Sequence, residues 1–301
     1  MPQPESIVVL GAGAIGSVYA AKLSAHHPVT VVARPEHVQA IRSNGLRLIG
    51  RETTTVRVNA VTRLDALAAN TVVLLTTKVN ASEAALAPIA ELVRDDTVIV
   101  CVQNGLDSEG IARRAVRNRC PVLRAITQFG AIFQGPGLIN FTASGYTLLE
   151  DGPFSAGIAA MLTTAGLDGR ISPDIKTEIW RKLIFNCVIN PITAVTGTEV
   201  GGIADPRLDP LKRLVIDECL EVARSEGVSF EIDFLPTIAD VFGASRTIAS
   251  MRQDLMRGRP TEIDHMNGAV AALGRQKGID CPVNSALTAI IKAMDRCTMT
   301  P

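Results

Sequence analysis

SIVVLGAGAIGSVYAAKL, residues 6–23, is the stretch that decides the fold. Four consecutive apolar residues, Ile7 to Leu10, run into Gly11-x-Gly13-x-x-Gly16, and Val18, Ala21 and Lys22 follow at helical spacing. This is the pattern of a buried parallel strand that turns sharply into a helix. The three glycines differ in what they do. Gly11 makes the tight turn, Gly13 lets backbone approach a pyrophosphate, and Gly16 lets helix and strand pack closely. The helix start then offers free N–H groups and a positive dipole end to phosphates. Residues Gly11, Ala12, Gly13, Ala14, Ile15 and Gly16 are therefore expected to cradle a nucleotide.

About 20 residues past the glycines, the apolar run Val29–Ala33 ends in Arg34. An acidic residue there would bond a ribose 2′-hydroxyl, whereas an arginine meets a 2′-phosphate with its fork of donors, so Arg34 points to NADP rather than NAD. Two further apolar runs, Thr71–Thr77 and Thr97–Val102, end in Lys78 and in Gln103-Asn104-Gly105. Ligands of open α/β sheets bind beyond the carboxyl ends of the strands, which directs Lys78 and Asn104 toward the cofactor crevice. Leu46–Ile49 and Thr53–Val58 read as a hairpin or a short pair of strands, and Ala81–Val93 as a helix. The glycine-broken stretch 122–149 reads as antiparallel strands finishing the edge of the same sheet, followed by a helix over Phe154–Ala165 and a last strand within Gly166–Ser172.

From Pro173 onward the patterning is helical, which sets the expected domains at 1–172 and 173–301. Within Lys176–Ala194, Lys182, Asn186 and Asn190 recur at i, i+4 and i+8 amid Leu183, Ile184, Phe185, Val188 and Ile189. A solvent face would carry Glu or Lys rather than two asparagines, weak helix formers. The stripe spans roughly 12 Å at 1.5 Å rise per residue, a length suited to a small polar molecule. Pro260 and Thr261 read as a helix start that places Glu262 in a first turn.

Composition narrows the remaining classes. The 301 residues carry 30 basic and 30 acidic side chains and only 4% aromatics, which offers neither a phosphate-backbone footprint nor a base-stacking platform, so nucleic acid is not an expected partner. Apolar residues reach 47% without a run long enough to span a bilayer. Six scattered cysteines without a C-x-x-C pair read as buried thiols of a reducing compartment, and a first strand beginning near Ser6 leaves no room for a secretion signal; the expected location is cytoplasmic. The four histidines show no metal-ligand spacing, and no G-x-S-x-G elbow is present. A lysine is then the best proton donor on offer, since its ammonium is already protonated at neutral pH.

Taken in order, GAGAIG (11–16), Lys78, QNG (103–105), WRKLIFNCVINPITA (180–194) and SMRQDLMRGRPTEID (250–264) resemble the ketopantoate reductase (2-dehydropantoate 2-reductase) family over nearly the whole chain. The resemblance implies a Rossmann-type doubly wound α/β domain followed by an all-helical domain similar to the C-terminal domain of 6-phosphogluconate dehydrogenase, with the active site between them. It implies NADPH-dependent reduction of the 2-oxo acid 2-dehydropantoate to (R)-pantoate, in pantothenate and coenzyme A biosynthesis. Carried over by motif position, Lys182 is the general acid and Glu262 its partner. Asn104, Asn186, Asn190 and Ser250 are substrate contacts, and Asn104 and Glu262 also border the cofactor. One position departs: where family members carry an asparagine that touches substrate, this chain has Val200. A reductase of another branched or aromatic 2-oxo acid, a β-hydroxyacid dehydrogenase with the lysine as base, and a non-catalytic NADPH sensor are the competing expectations. Oligomeric state is left open, a homodimer included.

Overall fold

In the computed structural model, which describes residues 4–297, the run Ser6–Leu10 forms strand β1, and its neighbours are the chain's other apolar runs. After β1 come α1 (Ala14–Leu23), β2 (Val29–Val32), α2 (Pro35–Asn44), β3 (Leu46–Gly50), β4 (Thr54–Val56), β5 (Asn59–Val61) and β6 (Thr71–Leu75). Then follow α3 (Ser82–Leu86), β7 (Val98–Cys101), α4 (Ser108–Ala115), β8 (Val122–Thr127), β9 (Gly130–Gly135), β10 (Leu138–Ala143), β11 (Thr147–Glu150), α5 (Ser155–Thr164) and β12 (Gly169–Ser172). The main sheet has eight strands in the order β12-β11-β8-β7-β6-β1-β2-β5. The run from β5 to β8 is parallel; β11 pairs antiparallel with β8 and carries β12 parallel to itself.

Every residue of β6 and β7 is buried, because helices cover both faces of a doubly wound sheet. Alternate residues feed two cores: Ile7, Val9 and Leu74 join one, while Val8, Leu10 and Leu75 join the other. In chain order β1 leads to β2 and then β5 on one side, and β6 then joins β1 on the other. The strand order thus reverses beside β1, the switch point at which such sheets bind ligands.

Several expectations need correction. The hairpin β3–β4 forms as expected, but it joins β10 and β9 in a separate four-stranded sheet, β4-β3-β10-β9, so only β8 and β11 of the 122–149 stretch extend the main sheet. β10 pairs parallel with β3, from Leu138 opposite Arg47 to Phe141 opposite Gly50, a contact between distant segments with no local signal. The helix expected over 81–93 is broken into α3 and two short 3-10 turns, with Pro88 inside the second; proline lacks the N–H that continues a helix. Helix α4 was not anticipated.

The chain divides into compact units after Ile175. The second is built on α6 (Ile175–Thr196), followed by α7 (Asp209–Ser225), α8 (Phe234–Phe242), α9 (Ser250–Met256), α10 (Asn267–Lys277) and α11 (Pro282–Cys297), with no strand among its described residues. Pro191 lies inside α6, and its missing N–H leaves the Cys187 carbonyl, four residues back, without a helical donor. Asn267 Nδ2 fills that gap at 2.9 Å and also donates to Asn284 Oδ1 at 2.9 Å, while Asn284 Nδ2 donates to Glu218 Oε2 at 2.7 Å. The wholly buried Asn267 thereby ties α6 to α11 and α7. Among the described residues no helix is long and apolar enough to cross a membrane. Cys101, Cys120, Cys187, Cys219 and Cys281 are buried free thiols, as expected from their apolar settings; the Cys297 side chain lies outside those described.

Candidate active site

The first unit gathers its candidate residues at the carboxyl ends of four adjacent strands. β1 ends at Leu10 and the chain enters Gly11 with φ 103°, a left-handed conformation that a side chain resists. A Cβ there would lie 2.7 Å from the Thr77 backbone nitrogen. At Gly16 a Cβ would lie 2.5 Å from the Gly11 carbonyl oxygen and 3.0 Å from Val9 Cγ1. Both glycines are therefore fixed by close backbone approach. Gly13 differs: it precedes the first residue of α1 with φ −73°, and a Cβ would meet nothing within 4 Å. No side chain caps α1, and no acidic residue stands in its first turn. A phosphate thus has open space over Gly13 and unopposed N–H groups at Ala14 and Ile15, so the loop fits a dinucleotide.

The neighbouring strand ends are tied to this loop. Beyond β6, Thr76 Oγ1 donates to the Gly11 carbonyl at 2.8 Å. Beyond β7, the buried Gln103 donates from Nε2 to the Thr77 carbonyl at 2.8 Å and to Ser82 Oγ at 2.7 Å. Lys78 and Asn104, next to these anchors, are both half-buried. Beyond β2, Arg34 stands exposed just before α2, its Nε 3.3 Å from Glu36 Oε1. The ring of His37, one turn into α2, is buried between Gly137 N, which donates to Nδ1 at 2.9 Å, and Ser17 Oγ, 3.3 Å from Nε2. Burial first, and then the charge of Arg34, lower its pKa below the usual 6.5.

In the second unit, α6 presents the polar stripe. Lys182 and Asn186 are half-buried, and Asn190 is 5% exposed. Asn190 Nδ2 donates to Asn186 Oδ1 at 3.3 Å, and Ser250 Oγ, at the start of α9, donates to Asn190 Oδ1 at 3.3 Å. Asn186, Asn190 and Ser250 are therefore one hydrogen-bonded row. Asn190 Nδ2 also lies 3.8 Å from Met266 Sδ, which docks the segment carrying Glu262 on α6 together with the Asn267 bond to Cys187.

Glu262 is half-buried, but not in the first turn of a helix. It precedes a short 3-10 turn, Ile263–His265, and α10 starts only at Asn267. The helix expected from Pro260 and Thr261 is diverted by a distant partner: the Asp295 carboxylate on α11 accepts from Thr261 N at 3.3 Å and from Thr261 Oγ1 at 2.9 Å. Sequence reasoning also passed over Gln103, quoted only as part of a turn, and Met266 and Asn267. Asn267 had a signal in the Pro191 that leaves a carbonyl needing a donor. Val200 is buried in a 3-10 turn, Val200–Ala204, whose backbone is paired to the segment before α9 through Val200 N and the Thr247 carbonyl at 2.8 Å.

Comparison with known proteins gives the same order of parts. Residues 7–153 match the family described as ketopantoate reductase PanE/ApbA, and residues 174–295 match that family's C-terminal domain. The 2-dehydropantoate 2-reductase of Vibrio cholerae is 34% identical, over 97% of this chain and 98% of that protein. The chain belongs to the ketopantoate reductase family. The enzyme of the same name from Archaeoglobus fulgidus is 30% identical, with 97% and 98% covered. Among solved structures, a ketopantoate reductase from Ralstonia eutropha superposes with a TM-score of 0.91 at 30% identity, covering 97% of this chain and 99% of that one. A D-mandelate dehydrogenase solved with NADH gives 0.85 at 25% identity, with 97% and 99% covered. The family's Rossmann-type sheet and helical second domain are thus those described above, and the chain is an oxidoreductase by kinship.

Proposed function

We propose that this protein is an NADPH-dependent 2-dehydropantoate 2-reductase, forming (R)-pantoate for pantothenate and coenzyme A biosynthesis. The observation that carries the reading is the row on α6, in which Asn186 and Asn190, one and two turns beyond Lys182, are joined by hydrogen bonds to each other and to Ser250 at the start of α9. A reactive amine and successive amides on one rigid helix suit a short substrate with a ketone, a carboxylate and a hydroxyl.

The glycine loop and the start of α1 would hold the pyrophosphate, Arg34 would meet the 2′-phosphate, and Lys78 and Asn104 would border the cofactor. When bound, the nicotinamide supplies the hydride for C2 of the oxo acid. Lys182 Nζ hydrogen-bonds the ketone oxygen, its charge offsets the negative charge that develops there, and it delivers the proton that completes the hydroxyl. Glu262 orients the ammonium. Asn186, Asn190, Ser250 and Asn104 fix the carboxylate and the remote hydroxyl, so most of what the protein contributes is positioning.

A second reading, reduction of another branched or aromatic 2-oxo acid, is favoured by Val200, an apolar residue 7% exposed where the resemblance leads one to expect an asparagine. The likeness to a D-mandelate dehydrogenase supports it, since mandelate is an aromatic 2-hydroxy acid. Initial rates of NADPH consumption with ketopantoate, other branched 2-oxo acids and phenylglyoxylate, with NADH as the comparison donor, separate the readings. The highest kcat/KM with ketopantoate and NADPH upholds the first. A preference for phenylglyoxylate upholds the second, and dinucleotide binding without turnover on any 2-oxo acid overturns both.

A further inference from the structure

Beneath the loop that joins β7 to α4 lies a buried cation. Arg124, in the middle of β8, is 2% exposed, and both terminal nitrogens of its guanidinium bond that loop or its ends. Nη1 donates to the Cys101 carbonyl at 3.3 Å and to Ser108 Oγ at 2.5 Å, and Nη2 donates to the Gly105 carbonyl at 2.8 Å. Nε makes no hydrogen bond and lies 3.5 Å from Glu109 Oε2, an ion pair with the start of α4. An interior strand of a sheet covered on both faces is a place for valine or leucine, and burying a charge there is costly even when it is paired. Well-packed apolar residues often replace buried ion pairs with no loss of stability, so holding the fold together is a poor account of this arginine.

What the guanidinium does, and an apolar side chain cannot, is grip the loop at both ends and in the middle. The loop needs gripping, because the non-glycine Asp107 has a left-handed backbone, with φ 58°. Such conformations persist only where the surroundings over-determine them. Asn104 stands between two anchored neighbours: Gln103 is tied to Thr77 and Ser82, and Gly105 to Arg124.

We infer that Arg124 is a positioning residue for the reaction: by holding the Gly105 carbonyl it fixes the backbone of Asn104 and so aims the Asn104 carboxamide at the substrate. This rests on the reading of Asn104 as a substrate contact. Arg124 itself touches no ligand and acts only through the loop.

The experiment compares Arg124→Met, of similar length but without donors, with Arg124→Lys, which keeps the charge and loses the fork. Each is made alone and with Asn104→Ala. Thermal unfolding, NADPH affinity, steady-state kinetics with the oxo acid the native enzyme prefers, and hydrogen exchange of the 102–107 amides are measured. Arg124→Met is expected to unfold cooperatively and to lose no more NADPH affinity than Asn104→Ala does, while the loop amides exchange at least ~10-fold faster and β7 and β8 stay protected. Its kcat/KM falls ~10–100-fold, mostly through KM for the oxo acid, and Arg124→Lys falls less. In the Asn104→Ala background the same change costs less than about twofold, because both substitutions remove one interaction. Unchanged loop exchange, or an equal loss of kcat/KM with and without Asn104, overturns the inference. If Arg124→Met does not fold, the same criteria apply to Arg124→Lys and to Ser108→Ala, which removes a single anchor. If the native protein reduces no 2-oxo acid, the functional proposal fails by itself, and loop exchange, which needs no turnover, still decides whether Arg124 fixes Asn104.

Discussion

Two glycines three residues apart should fail in opposite ways. At Gly16 an added methyl group would press on the Gly11 carbonyl oxygen at 2.5 Å and on Val9 Cγ1 at 3.0 Å, close to the bond from Thr76 Oγ1 to that carbonyl. Backbone cannot swing aside as a long side chain can, so overpacking of about 2–3 kcal/mol is expected for Gly16→Ala. For a unit of this size that lowers Tm by roughly 5–10 °C. At Gly13 the same methyl meets nothing within 4 Å, and φ −73° suits alanine. Stability should change by less than about 1 kcal/mol, the usual difference between glycine and alanine at a helix start. Yet that methyl fills the space a phosphate needs. Pushing the phosphate off one or two N–H groups forfeits ~1.5–3 kcal/mol, a loss of roughly 10–100-fold in NADPH affinity. Thermal melts without ligand and fluorescence titration with NADPH read the two effects separately. Native affinity in Gly13→Ala would remove the phosphates from this loop, and a native Tm in Gly16→Ala would contradict the close helix–strand packing.

Replacing Lys182 with alanine should reduce kcat by ~10²-fold or more in stopped-flow or steady-state assays while leaving NADPH affinity within a few-fold, because general acid catalysis is worth about that much. Arg34→Ala should raise KM for NADPH roughly tenfold and leave KM for NADH unchanged, the modest figure reflecting an exposed side chain already paired with Glu36. His37 gives stability a pH dependence. The unfolded ring takes a proton near pH 6.5, whereas the buried ring does so only at lower pH, so the unfolded state binds the extra proton in between. Melts should therefore be level above about pH 6.5 and fall as acid moves through that window. His37→Gln should flatten the slope in part, with His27 and His265, also lowered by burial, supplying the remainder.

The glycine turn from β1 into α1 was legible because its geometry is local: strand, glycines and helix lie within 18 consecutive residues, and the tight turn at Gly11 and the close packing at Gly16 follow from it. The stripe on α6 was legible for the same reason, since helical periodicity alone puts Lys182, Asn186 and Asn190 on one face. What escaped is settled by partners far away in sequence. β9 and β10 carry an ordinary hairpin signal, but which sheet they join depends on β3, some ninety residues earlier. Thr261 has the look of a helix start, and only Asp295, 34 residues on, shows why it is not one. Arg124 sits in a run of strand residues, where a single charge reads as a surface position. Its burial depends on the loop folded over it, and no spacing rule contains that.

The proline in α6 has a consequence for how this scaffold changes its diet. Under the proposed function Lys182 and the two asparagines would mark off the substrate like rungs of a ladder, and Pro191 falls directly after the last rung. The ladder's upper end is therefore steadied from outside, by the Asn267 amide that serves the stranded Cys187 carbonyl. Loss of that amide would leave a dry carbonyl unserved, and the least costly relief is a small tilt of Asn190, the rung above it. Variation at Asn267, or at Asn284 and Glu218 behind it, can thus re-space the ladder without altering a single group that meets the acid. Selections for new oxo-acid preference should include these three buried positions beside the obvious pocket residues.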